Sequence, residues 1–209
     1  PGDEHPGSIG CSAVAEAYLK WYEERDESPA PADKDTYQMA EDFSIRSSAG
    51  SVWSYQYVTH DQNNYTPLPT LSPADTSRGL SAAWREQAHT GSLGLGYVAA
   101  GAMSPAVSGN YDTAITFTAP RSGYVNVSSS VPITFDSTST DGVDLKVSLG
   151  KETIWPRESE WKHFDGHVPA ALDFAPMGLY LEKGDQLHFV LYRRDRKSTR
   201  LNSSHMLES

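Results

Sequence analysis

Between Ser51 and Arg193 the chain repeats one pattern, short runs in which every second residue is apolar or aromatic, each cut off by turn-forming residues. In SVWSYQYV, Trp53, Tyr55 and Tyr57 share one face; in AITFTAP it is Ile115 and Phe117, and in GYVNVSS it is Val125 and Val127. VDLKVSL continues the pattern with Val143, Leu145, Val147 and Leu149, and KETIWP adds a run around Ile154. Successive side chains of a strand point to opposite sides, so a period of two marks strands with one face turned to a core. LYLEKGDQLHFVLYRR holds two such runs around Lys183-Gly184-Asp185, a tight-turn sequence. Several short strands with no helical period between them predict an all-β chain, an antiparallel β-sandwich. The Ser-, Gly-, Ala- and Pro-rich stretch from Thr66 to Pro105 is expected to hold only short strands and loops.

The N-terminal segment differs. From Cys11 to Tyr22 the apolar positions Cys11, Val14, Ala15, Tyr18, Leu19 and Tyr22 follow a 3.6-residue period, with Glu16, Lys20, Glu23 and Glu24 off the stripe. This predicts one amphipathic helix over about 9–25, left over from an upstream α/β domain, because a lone helix cannot bury its stripe by itself. The charged, Pro-containing ERDESPAPADKD that follows reads as a linker. The expected organisation is 1–26 as the remnant of an upstream domain, 27–40 as linker, 41–194 as the sandwich and 195–209 as a tail.

Composition narrows the partners. With 17 basic against 27 acidic residues the formal net charge is -10, which repels phosphate backbones and argues against nucleic acid. The single cysteine, Cys11, leaves no internal disulfide and no cysteine-based zinc cluster. No run reaches the roughly 20 apolar residues of a membrane-spanning helix.

The tail from Asp195 to His205, DRKSTRLNSSH, resembles, letter for letter, the translated read-through of a common short-read sequencing adapter. The expectation is that 195–209 is a library artefact, that the chain is a fragment, and that the sandwich lacks its last strand.

The strand region resembles jelly-roll, carbohydrate-binding-like domains of large secreted bacterial proteins. The resemblance is carried by EDFS at 41–44, WSYQY at 53–57, AITFTAPRSGYVNVS at 114–128, DGVDLKVSLGKETIWP at 141–156 and LEKGDQLHFVL at 181–191. It implies a jelly-roll sandwich that holds a secreted hydrolase near a polysaccharide, with the upstream catalytic domain of the same chain as its other partner. It also implies bacterial origin, with secretion or display at the cell surface. Sugar binding needs aromatic faces flanked by polar groups. Trp161, in SEWKHFDGH, and also Trp155, Trp84 and Tyr111 are the candidates, with Trp53, Tyr55 and Tyr57 assigned to the core.

No cofactor is expected, although domains of this kind often hold a structural Ca²⁺. Asp136, Asp141 and Asp144 in DSTSTDGVD offer the hard oxygen ligands that ion takes, while Asp-Gly is equally an ordinary turn. His163 and His167 stand four apart but lack the helix that would align them for zinc.

The opening residues, DEHPGSIGCSAVAEAYLKWYEE, are similar to the last block of SGNH (GDSL-type) esterases, in which a His-Pro turn precedes the final helix. The resemblance implies His5 as general base, with Asp3 as its candidate carboxylate. The nucleophile would lie upstream, so the fragment itself is expected to be inactive. The alternative function is therefore ester hydrolysis by the parent, such as polysaccharide deacetylation, with the sandwich as a structural or adhesive appendage.

Overall fold

The computed structural model describes residues 9–10, 17–23, 36–43, 51–74, 82–85, 95–100, 102–106, 110–129, 132–135, 142–165, 170–171 and 174–194. These are all-β, with strands numbered here in chain order, every pairing antiparallel and no helix among them.

The central sheet is built on β4 (Trp53–Thr59), β10 (Tyr111–Thr118), β13 (Val143–Leu149) and β18 (Gln186–Arg193), in the spatial order β13-β18-β10-β4. β5 (Thr66–Pro67) extends it beside β4. At the other edge β14 (Glu152–Trp155) and β15 (Lys162–Phe164) pair with β13, the first along its C-terminal half and the second along its N-terminal half. A second sheet runs β17-β11-β2-β3, from β17 (Phe174–Leu181) and β11 (Gly123–Ser129) to β2 (Ala17–Glu23) and β3 (Thr36–Gln38). The third consists of short pieces, β1 (Ile9–Gly10), β6 (Thr70–Ser72), β7 (Ala83–Arg85), β8 (Tyr97–Ala99), β9 (Ala102–Ser104), β12 (Pro132–Phe135) and β16 (Ala170–Ala171).

The core lies between the central sheet and the second. Trp53, Ile115, Phe117, Leu145, Val147, Leu187 and Phe189 come from one side, and Val125, Val127, Met177 and Leu181 from the other. Phe117 anchors it, meeting Tyr37 at 5.4 Å and Trp53 edge-on at 5.3 Å. Two layers closed over one apolar cluster are consistent with a β-sandwich. The third sheet contributes Val98 and Met103 to the same cluster. There Gly96 takes φ +78°, and a side-chain carbon at that position would fall 2.1 Å from Thr113 Oγ1 and 2.4 Å from the Ser104 carbonyl. The site tolerates only glycine.

The expected turn at Lys183-Gly184-Asp185 is present, but it joins the two layers instead of closing a hairpin. β17 pairs with β11, whereas β18 pairs with β10 and β13. Gly184 has φ +93°, and the Asp185 amide donates to the Glu182 carbonyl at 3.0 Å, so the turn needs its glycine at the third position. A second crossing, 119–122 between β10 and β11, lies against the first. The Ala119 amide donates to Asp185 at 2.9 Å, and Gly184 donates back to Ala119 at 2.8 Å. The layers are thus tied at one corner.

The helix expected over about 9–25 is corrected. Ala17–Glu23 is a strand that pairs with the whole of β11, and Ile9–Gly10 pairs with β9 and β12. AYLKWYE is short and aromatic-rich, so its helical stripe is equally an alternating one, and an available strand edge decides between them.

Candidate functional site

β10 shows why the sandwich has more than one candidate surface. Asp112 through Phe117 are all buried, so the central sheet is covered on its far face as well as on its core face. Ile115 and Phe117 fill the core, while Asp112, Ala114 and Thr116 point the other way by alternation. On that far face Val58, Ala114 and Val190 form a small apolar cluster, capped by Tyr65 and Trp161.

Around it the polar side chains satisfy one another. Thr116 Oγ1 donates to Gln56 Oε1 at 2.6 Å. Its one proton being committed there, it accepts from His188 Nδ1 at 2.8 Å, which fixes the His188 tautomer. Tyr65 lies flat on the His188 ring, with centroids 3.7 Å apart and planes within 3°. Burial, at 2 % exposure, pulls His188 down to about 4 and resists its protonation.

Further along the same face His60 Nδ1 lies 3.0 and 3.1 Å from the two carboxylate oxygens of Asp112. Asp112 is 1 % exposed, and burial pushes its carboxyl up to about 6 while His60 and Lys146 pull it the other way. The His60 ring stacks on Tyr192 at 4.0 Å and lies 5.8 Å from Trp161. Lys146 Nζ sits 4.0 Å from the centre of the Trp161 ring and 3.4 Å from Glu160. A second pair, His163 Nδ1 to Asp144 at 2.8 Å, completes the row beside Tyr192.

Two histidines held by buried carboxylates resemble half of a nucleophilic triad, but among the described residues the other half does not follow. The Nε2 of His60 faces the Asp61 carboxylate at 3.4 Å, where a nucleophile's hydroxyl would have to stand. The Nε2 of His163 is buried without a hydrogen-bond partner. Apart from His163 Nε2, the polar side chains named on this face are paired with one another.

The outward face of the second sheet is its opposite. β11 sends Val125 and Val127 into the core and leaves Tyr124, Asn126 and Ser128 outside; β17 buries Met177 and Leu181 and leaves Gly178 and Tyr180 outside. Tyr124 and Tyr180 stand opposite each other in register at 65 % and 49 % exposure, the large exposed hydrophobics of the described residues. Their rings meet at 5.1 Å with planes 70° apart, so the pair forms an angled corner. Tyr22 occupies the next register position across the sheet, opposite Tyr124. One row inward, Asn126 stands opposite Gly178, and a side-chain carbon placed on Gly178 would lie 3.6 Å from Asn126 Oδ1.

The residues singled out from sequence are dispersed. Trp161 caps the far face of the central sheet. Trp84 lies against the core, stacked near Tyr55 at 6.3 Å, and Trp155 packs on the same core from β14. Tyr111 meets Tyr57 edge-on at 5.8 Å. Asp144 is taken up by His163, while Asp136, Asp141, His5 and Asp3 lie outside the described residues. Among the described residues no group of three or more His, Cys, Asp or Glu is placed to hold a metal ion, and no helix is long and apolar enough to cross a membrane. Tyr124 and Tyr180 were not singled out, although the alternation that puts Val125 and Val127 inside puts Tyr124 outside. His60 with Asp112, and Tyr65 with His188, join residues too distant in sequence to leave a local signal.

The chain matches no family model, no curated protein and no solved structure.

Proposed function

We propose that this chain is a non-catalytic glycan-binding module of jelly-roll type, and that its binding surface is the Tyr124–Tyr180 face of the second sheet. One observation carries the reading, an in-register pair of tyrosines left in solvent beside polar side chains on an otherwise ordinary strand face. A paired, exposed aromatic surface rimmed by polar side chains is a candidate interaction site. Pyranose rings present C–H groups that stack on aromatic faces and hydroxyls that need nearby amides or hydroxyls, which Asn126 and Ser128 supply. In a longer secreted parent such a module would hold a tethered hydrolase near its polymer and raise its effective concentration. The test is binding of the purified chain to a panel of polysaccharides, with the Tyr124→Ala/Tyr180→Ala double variant as control. The reading predicts measurable affinity that falls at least tenfold in the variant; equal binding by both proteins would overturn it.

A further inference from the structure

The Tyr124–Tyr180 face also specifies the kind of glycan. A flat crystalline polysaccharide surface is met by coplanar rings, all touching one plane. Here the rings stand 70° apart, so at most one can lie against a flat surface while the other projects into it. An angled pair suits a single chain whose sugar ring rests on one tyrosine and is bounded by the other.

Beside that corner the sheet has a notch. Gly178 is exposed and has no side chain, and Asn126, directly opposite it, is among the described residues the nearest side chain to the missing carbon. The Asn126 amide can both donate and accept, which matches a hydroxyl or an acetamido group and no formal charge. Tyr124, Asn126, Ser128, Gly178 and Tyr180 carry no charge, Lys20 holds the register position opposite Asn126 on β2, and the chain's net charge of -10 repels polyanions. The net charge and the uncharged tyrosine corner favour a neutral chain over a polyanion.

We infer that Gly178 and Asn126 are specificity-determining residues: the glycine opens a polar notch in which Asn126 reads the hydroxyl or acetamido groups of a single, neutral glycan chain stacked in the Tyr124–Tyr180 corner. The inference rests on the glycan-binding reading. Gly178 has no left-handed φ, and a β-carbon there makes ordinary contact only, so it can be filled without disturbing the fold.

The test uses the full chain expressed in bacteria, so that the Asn126-Val127-Ser128 glycosylation sequon stays unmodified. Calorimetric titrations would use soluble β-1,4-linked hexamers of glucose, xylose, mannose and N-acetylglucosamine, with a soluble polyuronate and crystalline cellulose as contrasts. The wild type is expected to bind at least one neutral hexamer, and to bind it more tightly than the polyuronate or the crystalline surface. Gly178→Val and Asn126→Ala should each weaken that binding tenfold or more at unchanged melting temperature, with Asn126→Gln recovering part of the loss. Loss of binding in Tyr124→Ala/Tyr180→Ala with full binding by Gly178→Val and Asn126→Ala would overturn the notch and leave the tyrosine face standing. Preference for crystalline cellulose or the polyuronate would overturn the single neutral chain. No binding to any of these glycans would overturn both readings.

Discussion

The two outward faces of this sandwich use the same residue types for opposite ends. On the central sheet His60, Tyr65, Trp161 and Tyr192 are covered by one another and by Asp112, Lys146 and His188. On the second sheet Tyr124 and Tyr180 meet each other and remain 65 % and 49 % exposed. An aromatic ring is therefore a poor marker of a binding site by itself; what marks one is contact capacity left unused. Trp161 illustrates the point: it sits among polar residues in sequence, but its ring already serves Lys146 and the Val58–Ala114–Val190 cluster.

If the central-sheet face is structural, damage there should appear as lost stability. The largest effect is expected from Thr116→Val, which leaves Gln56 without its donor and His188 Nδ1 without its acceptor. Two buried polar groups orphaned together should cost about 2–6 kcal/mol in denaturant unfolding. A loss below 0.5 kcal/mol, in the order-of-magnitude range of ordinary surface changes, would mean the network is solvated.

The same face should also shape the pH dependence, through opposed titrations. Asp112, raised from its usual 3.8 to about 6, holds a proton in the folded chain that the unfolded chain gives up, so its stabilisation is complete below 3.8 and lost as pH rises through 6. His188, lowered from 6.5 to about 4, works the other way: its stabilisation is present above 6.5 and lost as pH falls through 4. Between pH 4 and 6 the two slopes oppose each other. Asp112→Asn should unmask the histidine, and over that interval its stability should drop by about 2–3 kcal/mol more than that of the wild type as pH falls. His188→Gln should diverge by a similar amount in the opposite direction. Parallel curves for all three proteins would show that neither group titrates in the buried state described here.

A smaller loss, about 1–2 kcal/mol, is expected for Trp161→Ala, which removes the cap and the cation–π contact. Its glycan binding should be unaffected. The smallest change in stability belongs to Tyr124→Ala, at most about 1 kcal/mol for an exposed ring with one aromatic neighbour. A larger destabilisation by Tyr124→Ala than by Trp161→Ala would reverse the comparison of the two faces.

Much of this architecture was legible in the chain because core-facing apolar residues alternate with polar ones, even in β10, where both faces are buried. WSYQY, AITFT, GYVNV and VDLKVSL carry their period of two openly, and the described residues of the 66–105 stretch form strands of two or three residues, as its composition suggests. The 17–23 segment, seven residues rich in aromatics, fits both periods, and the choice between them is made by pairing with β11. Which sheet a strand joins was likewise hidden: the turn at Gly184 is visible in sequence, but its role as a crossing depends on Ala119 and Ser122 far upstream. The proposed binding face was half legible. Alternation alone places Tyr124 and Asn126 outward, but the register that sets Tyr124 against Tyr180 and Asn126 against Gly178 is a property of the sheet.

The most direct test is a side-by-side titration of wild type, Trp161→Ala and Tyr124→Ala/Tyr180→Ala with the soluble neutral hexamers. The account predicts wild-type affinity in Trp161→Ala and at least a tenfold loss in the tyrosine variant. Loss of binding in Trp161→Ala with full binding in the tyrosine variant would place the site on the opposite face and contradict it.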